Sequence, residues 1–365
     1  MDTAPSAPTV SRRIAFLVVL AMLAGCGPSE RAGAPETPAP KAEPAAATTP
    51  PATAEPALAE IAITNAHEHV LGGKHLERYL SAARRLGIRR TVFVASPVLT
   101  LRGKGSKTEG MDTNLNEIME MALAHPGEIV AFAAVSQDQA EPRAALEAAV
   151  GRGARGLKLY SGHSKFHTRP LDDPKMEAVY AFAAERHLPV LWHVRLSKFG
   201  PEFERVLGAH PDLKVVLAHY GLAFWNPSQQ RLDALRRLLQ SYPNLMIDTS
   251  FGSRRTLAGG LAQLSKHHEA VRQLLLDYPD RFVWGTDAVV TGHAEKSEEW
   301  FEATIRANRE ALERETYYTP FAARWSRYWR KGMPASGVLH GLALPDAVLQ
   351  KIYRDNPARW LDGAP

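Results

Sequence analysis

The feature that most constrains the fold is a rhythm of eight short apolar runs separated by amphipathic segments. Each run is largely aliphatic or aromatic and is bounded by polar or glycine residues, as expected for strands buried on both faces. Segments with helical spacing lie between the runs, for example Leu76–Leu86 and Met176–Arg186. The eight runs are Ile61–Asn65, Thr91–Ala95, Ile129–Val135, Gly156–Tyr160, Val190–Val194, Val215–His219, Leu245–Thr249 and Phe282–Gly285.

Eight alternations of strand and helix within roughly 300 residues have the size and order of a (β/α)8 barrel. The competing architecture is an open doubly wound sheet. No glycine-rich phosphate loop follows the first run, so that alternative has no nucleotide site to support it. We therefore predict an α/β protein, a (β/α)8 TIM barrel of the metal-dependent hydrolase type, over residues 59–365.

The beginning of the chain is typical of an export signal. Arg12 and Arg13 precede an apolar run, 14–24, which is too short for a comfortable membrane span and is followed by small residues. The stretch Leu23–Cys26 resembles the lipobox of bacterial lipoproteins, in which the cysteine is acylated. We expect a signal peptide over 1–25 and a lipid anchor on Cys26, and the alternative is a plain signal peptide with an incidental cysteine. Gly27 suggests by the same resemblance an outer-membrane anchor facing the periplasm.

Residues 26–58 are predicted to be a tether, because they are rich in proline and alanine and have almost no large apolar side chain. The single cysteine excludes an intramolecular disulfide. The net charge of +5 is spread in mixed-sign surroundings, and no nucleic-acid motif is present, so we expect no nucleic-acid partner.

Ionisable residues end several of the predicted strands, where a barrel carries its catalytic groups. His67 and His69 are two apart in a strand and can point to one ion, while Glu68 points elsewhere. His193, His219 and Asp287 each end a further apolar run. A buried histidine or a capping carboxylate explains any one of these alone. Imidazole and carboxylate together are the ligand set of zinc or a similar ion.

The order of these residues, with the spellings Gly-Leu-Lys-Leu and Trp-Gly-Thr-Asp and the tail from Ile352 to Leu361, resembles the amidohydrolase superfamily. Within it, the chain resembles the amidohydrolase-related branch, which includes hydrolases and the aminocarboxymuconate-semialdehyde decarboxylase type. The resemblance implies that His67, His69 and His193 bind a divalent metal. Zn²⁺ is the first expectation, and Mn²⁺ is the alternative.

The resemblance also implies roles for the remaining residues of the pattern. Asp287 would be a further metal ligand and the general base, and His219 would polarise the substrate or hold a second ion. Lys158 would bridge two ions if it is carbamylated, and would otherwise pair with a carboxylate or orient the substrate. One ion and two ions are both open at this point.

Side chains around the same face are candidates for substrate binding. They are Tyr160, His163, Arg195 and Arg254, and the arginines would favour an anionic substrate unless they are ordinary rim charges. The leading functional hypothesis is hydrolysis of a small ester, lactone or amide. The alternatives are nonhydrolytic decarboxylation of an unsaturated acid and a tethered binding protein without activity. The partners expected are a small-molecule substrate and a lipid membrane, and the resemblance allows a homodimer.

Overall fold

The computed structural model describes residues 61–225, 229–325 and 336–363, without the side chains of 223–225 and 325. The chain divides into two units, Met1–Ala54 and Glu55–Pro365, and the described residues belong to the second. The predicted signal peptide, Cys26 and the tether lie outside the described residues. In the described ranges, no helix has the length and apolar character needed to cross a membrane.

Eight parallel strands form one sheet in chain order, so the predicted (β/α)8 barrel is confirmed. Hydrogen bonds between the region of the first strand and the residues that follow the eighth close the barrel: Ala66 N donates to Trp284 O (2.9 Å), and Val290 N donates to His69 O (2.7 Å). The strands are β1 Ile63–Glu68, β2 Ile88–Val94, β3 Ile129–Val135, β4 Gly156–Gly162, β5 Val190–Val194, β6 Val215–Leu217, β7 Leu245–Asp248 and β8 Phe282–Val283. A separate antiparallel pair consists of β9 Thr316–Tyr318 and β10 Val338–His340.

Helices connect the strands, and most of them bury one face in the main apolar cluster. Two of them begin with a capping side chain: Asp173 accepts from Lys175 N, and Ser297 accepts from Trp300 N. The helices are α1 Leu76–Arg85, α2 Val98–Arg102, α3 Met111–Ala124, α4 Pro142–Gly151, α5 Pro174–Glu185, α6 Leu196–Ala209, α7 Gln229–Ser241, α8 Arg255–Lys266, α9 His268–Asp277, α10 Glu298–Glu313, α11 Pro320–Trp325, α12 Asp346–Gln350 and α13 Asn356–Asp362.

A second apolar cluster combines side chains of the strands with those of helix α13. Trp360 of this helix is 1% exposed and lies 5.3 Å from the Phe132 ring, centroid to centroid. Its indole N–H donates to the backbone oxygen of Lys214, which directly precedes β6. Helix α13 therefore packs against the amino-terminal side of the barrel and leaves the carboxyl ends of the strands for the site.

The predicted bounds of five strands were wrong by two or three residues, including β2, which begins at Ile88 rather than Thr91, and β4, which ends at Gly162 rather than Tyr160. The sixth run was expected to remain extended to His219, but β6 ends at Leu217. His219 to Leu222 instead form a left-handed turn, with φ values of 57°, 51°, 61° and 58°. The first strand is Ile63–Glu68 rather than Ile61–Asn65, and β8 has two paired residues rather than four.

Candidate metal centre

The ionisable side chains expected at the strand ends lie together at the carboxyl end of the barrel. These side chains belong to His67 in β1, His69 directly after β1, Lys158 in β4, His193 in β5, His219 after β6 and Asp287 after β8. Since parallel strands end at one rim of a barrel, residues up to 220 positions apart meet there.

His67 and His69, at the end of the first strand, each carry their ring proton on Nδ1 and leave Nε2 unprotonated. His67 Nδ1 lies 2.7 Å from Asp248 Oδ2 and must be the donor, because a carboxylate only accepts. His69 Nδ1 lies 2.6 Å from Ser96 Oγ, which gives its own proton to Val94 O. Burial lowers the pKa of both imidazoles, so the rings are neutral at neutral pH. Their Nε2 lone pairs therefore face each other at 3.3 Å.

Two further imidazoles present a nitrogen to the same space. His219 Nδ1 lies 3.2 Å from Ser250 O and 2.9 Å from the Ser250 hydroxyl, so the other ring nitrogen, Nε2, is the one on the side of Asp287. His193 Nε2 is buried and has no hydrogen-bond partner among the described residues. The rings of His193 and His219 are 4.9 Å apart, and those of His67 and His219 are 5.0 Å apart. Burial lowers the pKa of His193 well below its ordinary value.

Asp287 brings a carboxylate to this group of nitrogens. Its Oδ1 lies 3.1 Å from His69 Nε2, and its Oδ2 lies 3.7 Å from His219 Nε2. Burial acts to raise the pKa of Asp287, but interactions with the neighbouring histidines outweigh it and hold that pKa below the ordinary range. The carboxylate is therefore ionised at neutral pH.

This arrangement of acceptors fits a divalent cation. A nitrogen of His67, a nitrogen of His69 and an oxygen of Asp287 all lie within 4.8 Å of one another. Facing lone pairs repel one another unless a positive charge lies between them, and the amine of Lys158 lies against His67 rather than between the histidines and Asp287. His67, His219 and Asp248 form a second such group. Asp248 already accepts the His67 proton, so we assign it to orienting that ring rather than to ligation.

Lys158 is buried at the edge of the same group. Its Nζ lies 2.9 Å from His67 Nε2, and the residue is 1% exposed. Burial lowers the pKa of its amine to about 8. With that pKa the amine is mostly protonated at pH 7 and partly neutral, so it is compatible with both roles predicted for it, the positioning group and the carbamylated bridge.

The orienting groups were not identified from the sequence. Asp248 Oδ2 accepts from the Ser250 hydroxyl at 2.7 Å as well as from His67, and Ser96 accepts from His69. Asp248 could have been identified, because it is a carboxylate at the end of an apolar run, as Asp287 is. The two serines could not, because a serine in a loop is common.

Glu68 points away from the lone pairs and holds the segment that carries Asp287. Its Oε1 accepts from the backbone N–H of Val289 (2.7 Å), and its Oε2 accepts from the backbone N–H of Ala288 (3.1 Å). Lys296 Nζ donates to the carbonyl oxygens of the same two residues, at 2.8 Å for Ala288. Burial raises the pKa of Glu68 to about 7 and lowers that of Lys296 to about 8.

A cavity of about 500 Å³ opens above the centre, and His193, His219 and Asp287 line its floor. Of the residues predicted to bind substrate, His163 and Arg195 line this cavity. Burial and the neighbouring positive groups lower the pKa of His163 to about 4, so its ring is neutral. Its centroid lies 4.6 Å from that of His193.

The other two predicted substrate contacts have partners elsewhere. Arg254 Nε lies 3.0 Å from Glu295 Oε2. Tyr160 is buried, and its hydroxyl donates to Ala95 O at 2.9 Å and contacts Ser96 at 3.0 Å. In this structure Tyr160 supports the residue that orients His69, and Arg254 is held by an acid.

Comparisons with known proteins match this description. Residues 73–363 fit the family model described as amidohydrolase, a range that begins after His67 and His69. No curated protein matches the chain. A structure titled as a putative 2-pyrone-4,6-dicarboxylic acid hydrolase from Pseudomonas putida has a TM-score of 0.55 at 16% identity, with 83% of this chain and 98% of that chain covered.

Two further solved structures are similar over the same extent. An amidohydrolase from Burkholderia multivorans with bound zinc has a TM-score of 0.52 at 13% identity, with 83% of this chain and 100% of that chain covered. The 4-oxalomesaconate hydratase from Rhodopseudomonas palustris has a TM-score of 0.51 at 15% identity, with 82% and 95% covered. At such identities the similarity concerns the barrel fold.

Proposed function

Because the chain belongs to the amidohydrolase family, we propose that it is a metal-dependent hydrolase of a small carbonyl compound, an ester, a lactone or an amide. The observation that carries the proposal is the convergence of unprotonated imidazole nitrogens and the ionised Asp287 on one floor of the cavity. His67, His69, His193 and Asp287 would hold the ion, with zinc expected and manganese as the alternative.

A bound dication would supply Lewis acidity and lower the pKa of water to about 7. Asp287 is ionised and borders the cavity, so it can take a proton from a nucleophile that approaches the substrate there. His219 also borders the cavity and can donate a hydrogen bond to a developing oxyanion if its Nε2 is protonated during turnover.

Lys158 decides between one ion and two in this proposal. Its pKa of about 8 leaves roughly a tenth of the amine neutral at pH 7, and only the neutral amine can react with carbon dioxide. A carbamate there, with His193 and His219, would provide for a second ion. Without it, Lys158 keeps its contact with His67 and the site holds one ion.

Asp287→Ala tests the proposed hydrolase. We expect the variant to fold, to lose zinc or manganese and to lose turnover of esters, lactones and amides that the wild type hydrolyses. Asp212→Ala changes an exposed carboxylate outside the cavity and is the matched control. Turnover in Asp287→Ala at the wild-type rate would overturn the proposal.

Decarboxylation of an unsaturated carboxylic acid at the same site is the second candidate. Arg195 at the cavity favours it, since a guanidinium can hold a carboxylate with two hydrogen bonds. Reaction in ¹⁸O-labelled water separates the two, because hydrolysis leaves solvent oxygen in the organic acid that it forms, whereas decarboxylation releases carbon dioxide and adds no solvent oxygen to the organic product.

We also propose that the chain is exported and anchored to the bacterial cell envelope through acylated Cys26, facing the periplasm. The support is the order of positive segment, short apolar segment and lipobox-like stretch Leu23–Cys26. Labelling with a radioactive fatty acid should mark the wild type and leave Cys26→Ser unmarked. Equal labelling of both would exclude the anchor.

A further inference from the structure

Two unlike walls enclose the cavity above the proposed metal centre. Loops after β4 and β5 form one wall with Lys165 and Arg195. The turn after β6, the loop after β7 and helix α8 form the other, with Leu222, Phe251 and Gly260 among its lining residues. The cavity volume of about 500 Å³ is in the range of small-molecule sites.

The first wall is cationic. Neither Lys165 nor Arg195 forms an ion pair with a carboxylate of the described residues, whereas Arg254 on the opposite side pairs with Glu295. Both charges act on His163, whose pKa they lower together with burial. The two side chains are thus left to meet a negative charge from a ligand.

The second wall is apolar apart from Thr256, whose hydroxyl donates to Ser253 O, and its shape depends on a glycine. The Phe251 ring stacks 5.6 Å from that of Tyr220, and a Cβ added to Gly260 would lie 2.3 Å from Phe251. Phe251 can occupy this position only because residue 260 has no side chain. The apolar wall also reaches the floor, since a Cβ added to Gly252 would lie 3.3 Å from Asp287 Oδ2.

Leu222 completes the apolar wall in spite of its backbone. Its φ of 58° lies in the left-handed region, which leucine rarely adopts and asparagine tolerates. A polar residue would be less strained there, yet an aliphatic side chain lines the cavity.

We propose that the substrate is an amphipathic carboxylic acid derivative. Its carboxylate lies at Arg195 and Lys165, its reacting carbonyl lies over Asp287, and a hydrocarbon arm lies between Leu222 and Phe251. This inference rests on the proposed function, and it names the substrate class for the same site.

Hydroxamates test the two walls separately, because the hydroxamate group binds a metal and the remainder of the molecule can be varied. The probes are acetohydroxamate as the anchor, hexanohydroxamate with an apolar arm and succinic monohydroxamate with a carboxylate. Their dissociation constants are measured by calorimetry on the full-length, zinc-loaded protein. We expect both extended probes to bind at least tenfold more tightly than the anchor, a difference of about 1.4 kcal/mol each.

Each single-residue variant should remove the gain in affinity of one extended probe over acetohydroxamate. Leu222→Asn suits the left-handed backbone, so it should fold and abolish only the gain of hexanohydroxamate. Gly260→Ala should do the same by forcing Phe251 into the cavity. Arg195→Gln should abolish only the gain of succinic monohydroxamate. Lys198→Gln, in the first turn of helix α6 directly after Arg195 and outside the cavity, should change neither gain.

The outcomes distinguish this inference from the function on which it rests. If acetohydroxamate binds and the extended probes bind no more tightly, the substrate class is overturned and the metal site stands. Gains that persist in Leu222→Asn and Arg195→Gln also overturn it. If acetohydroxamate itself fails to bind, the metal site and the inference fall together.

Discussion

Replacing Glu68 by glutamine tests how the chain holds Asp287 in place. The Glu68 carboxylate accepts four hydrogen bonds: from His69 N (2.8 Å), Val289 N (2.7 Å), the Thr286 hydroxyl (2.5 Å) and Ala288 N (3.1 Å). Glutamine keeps one oxygen, which can serve the first two donors. Its amide group then faces the Thr286 hydroxyl, which can rotate and accept, and the Ala288 N–H, which cannot.

The expected cost follows from this count. One buried backbone N–H without an acceptor costs about 1–3 kcal/mol, and the bonds that remain lose the strengthening that a charged acceptor gives. At pH 8, where the Glu68 carboxylate is mostly ionised, we expect the free energy of unfolding of Glu68→Gln to fall by about 3 kcal/mol relative to the wild type. The segment 286–289 should also relax, because Lys296 still attracts its carbonyl oxygens without the opposing carboxylate. Asp287 then moves from His69, and zinc affinity should fall at least tenfold.

Urea denaturation measures the stability, and competition with a chromophoric chelator measures the zinc affinity. Glu298→Gln is the matched control, since Glu298 is also a hydrogen-bonded glutamate, lies at the start of helix α10 and is more exposed. It should leave zinc affinity unchanged. A Glu68→Gln protein with wild-type stability and wild-type zinc affinity would refute the reasoning. A loss of stability alone would make Glu68 a structural residue without a positioning role.

Three further predictions concern Asp248, which orients His67, the metal-binding histidines, and Trp360 of helix α13. Asp248→Asn should lower zinc affinity by roughly 10–100-fold, because the asparagine amide can donate to His67 Nδ1 and favour the tautomer with its proton on Nε2. Unchanged affinity in the chelator assay would exclude an orienting role for Asp248. Bound zinc, measured by mass spectrometry after desalting, should stay constant as the pH falls from 8 to 6.5 and should decrease only below pH 6.5. Burial lowers the pKa of His67 and His193 from 6.5, so protons compete with zinc for these nitrogens only below that pH. A loss of zinc that begins above pH 6.5 would contradict this prediction. Trp360→Ala should cost about 3–5 kcal/mol in denaturation and leave zinc content per folded molecule unchanged, since its cavity would form at the opposite end of the barrel.

The sequence predicted the barrel well because parallel strands buried on both faces are short apolar runs, and such runs are visible without any alignment. The ends of the strands were less accurate. β6 ends before His219 because four successive residues turn left-handed, and three of them, His219, Tyr220 and Leu222, carry side chains that normally disfavour this backbone. No composition rule indicates such a turn.

The site could be predicted in part for a similar reason. Alternation along β1 correctly separates Glu68 from the two histidines beside it, but three of the four donors to Glu68 lie about 220 positions further along the chain. Asp248 and Asp287 end apolar runs in the same way, and only their contacts distinguish an orienting carboxylate from one that faces the lone pairs. Arg254 likewise looks free in the sequence, whereas in the structure it forms an ion pair with Glu295.

Two of the residues proposed to act at the metal lie in strained backbone, and this follows from where they are needed. His219 and Asp287 have φ values of 57° and 50°, which cost of order 1 kcal/mol or more each. Each lies just after the end of a short strand, where a continuing extended chain would carry the side chain past the barrel mouth. Hydrogen bonds fix both turns: the backbone N–H of Asp287 donates to His67 O (2.9 Å), and His219 donates to Ser250. Glycine would relieve the strain but would remove the imidazole or the carboxylate. The strain is therefore retained by the requirement that a side chain from each of these turns face the floor of the cavity.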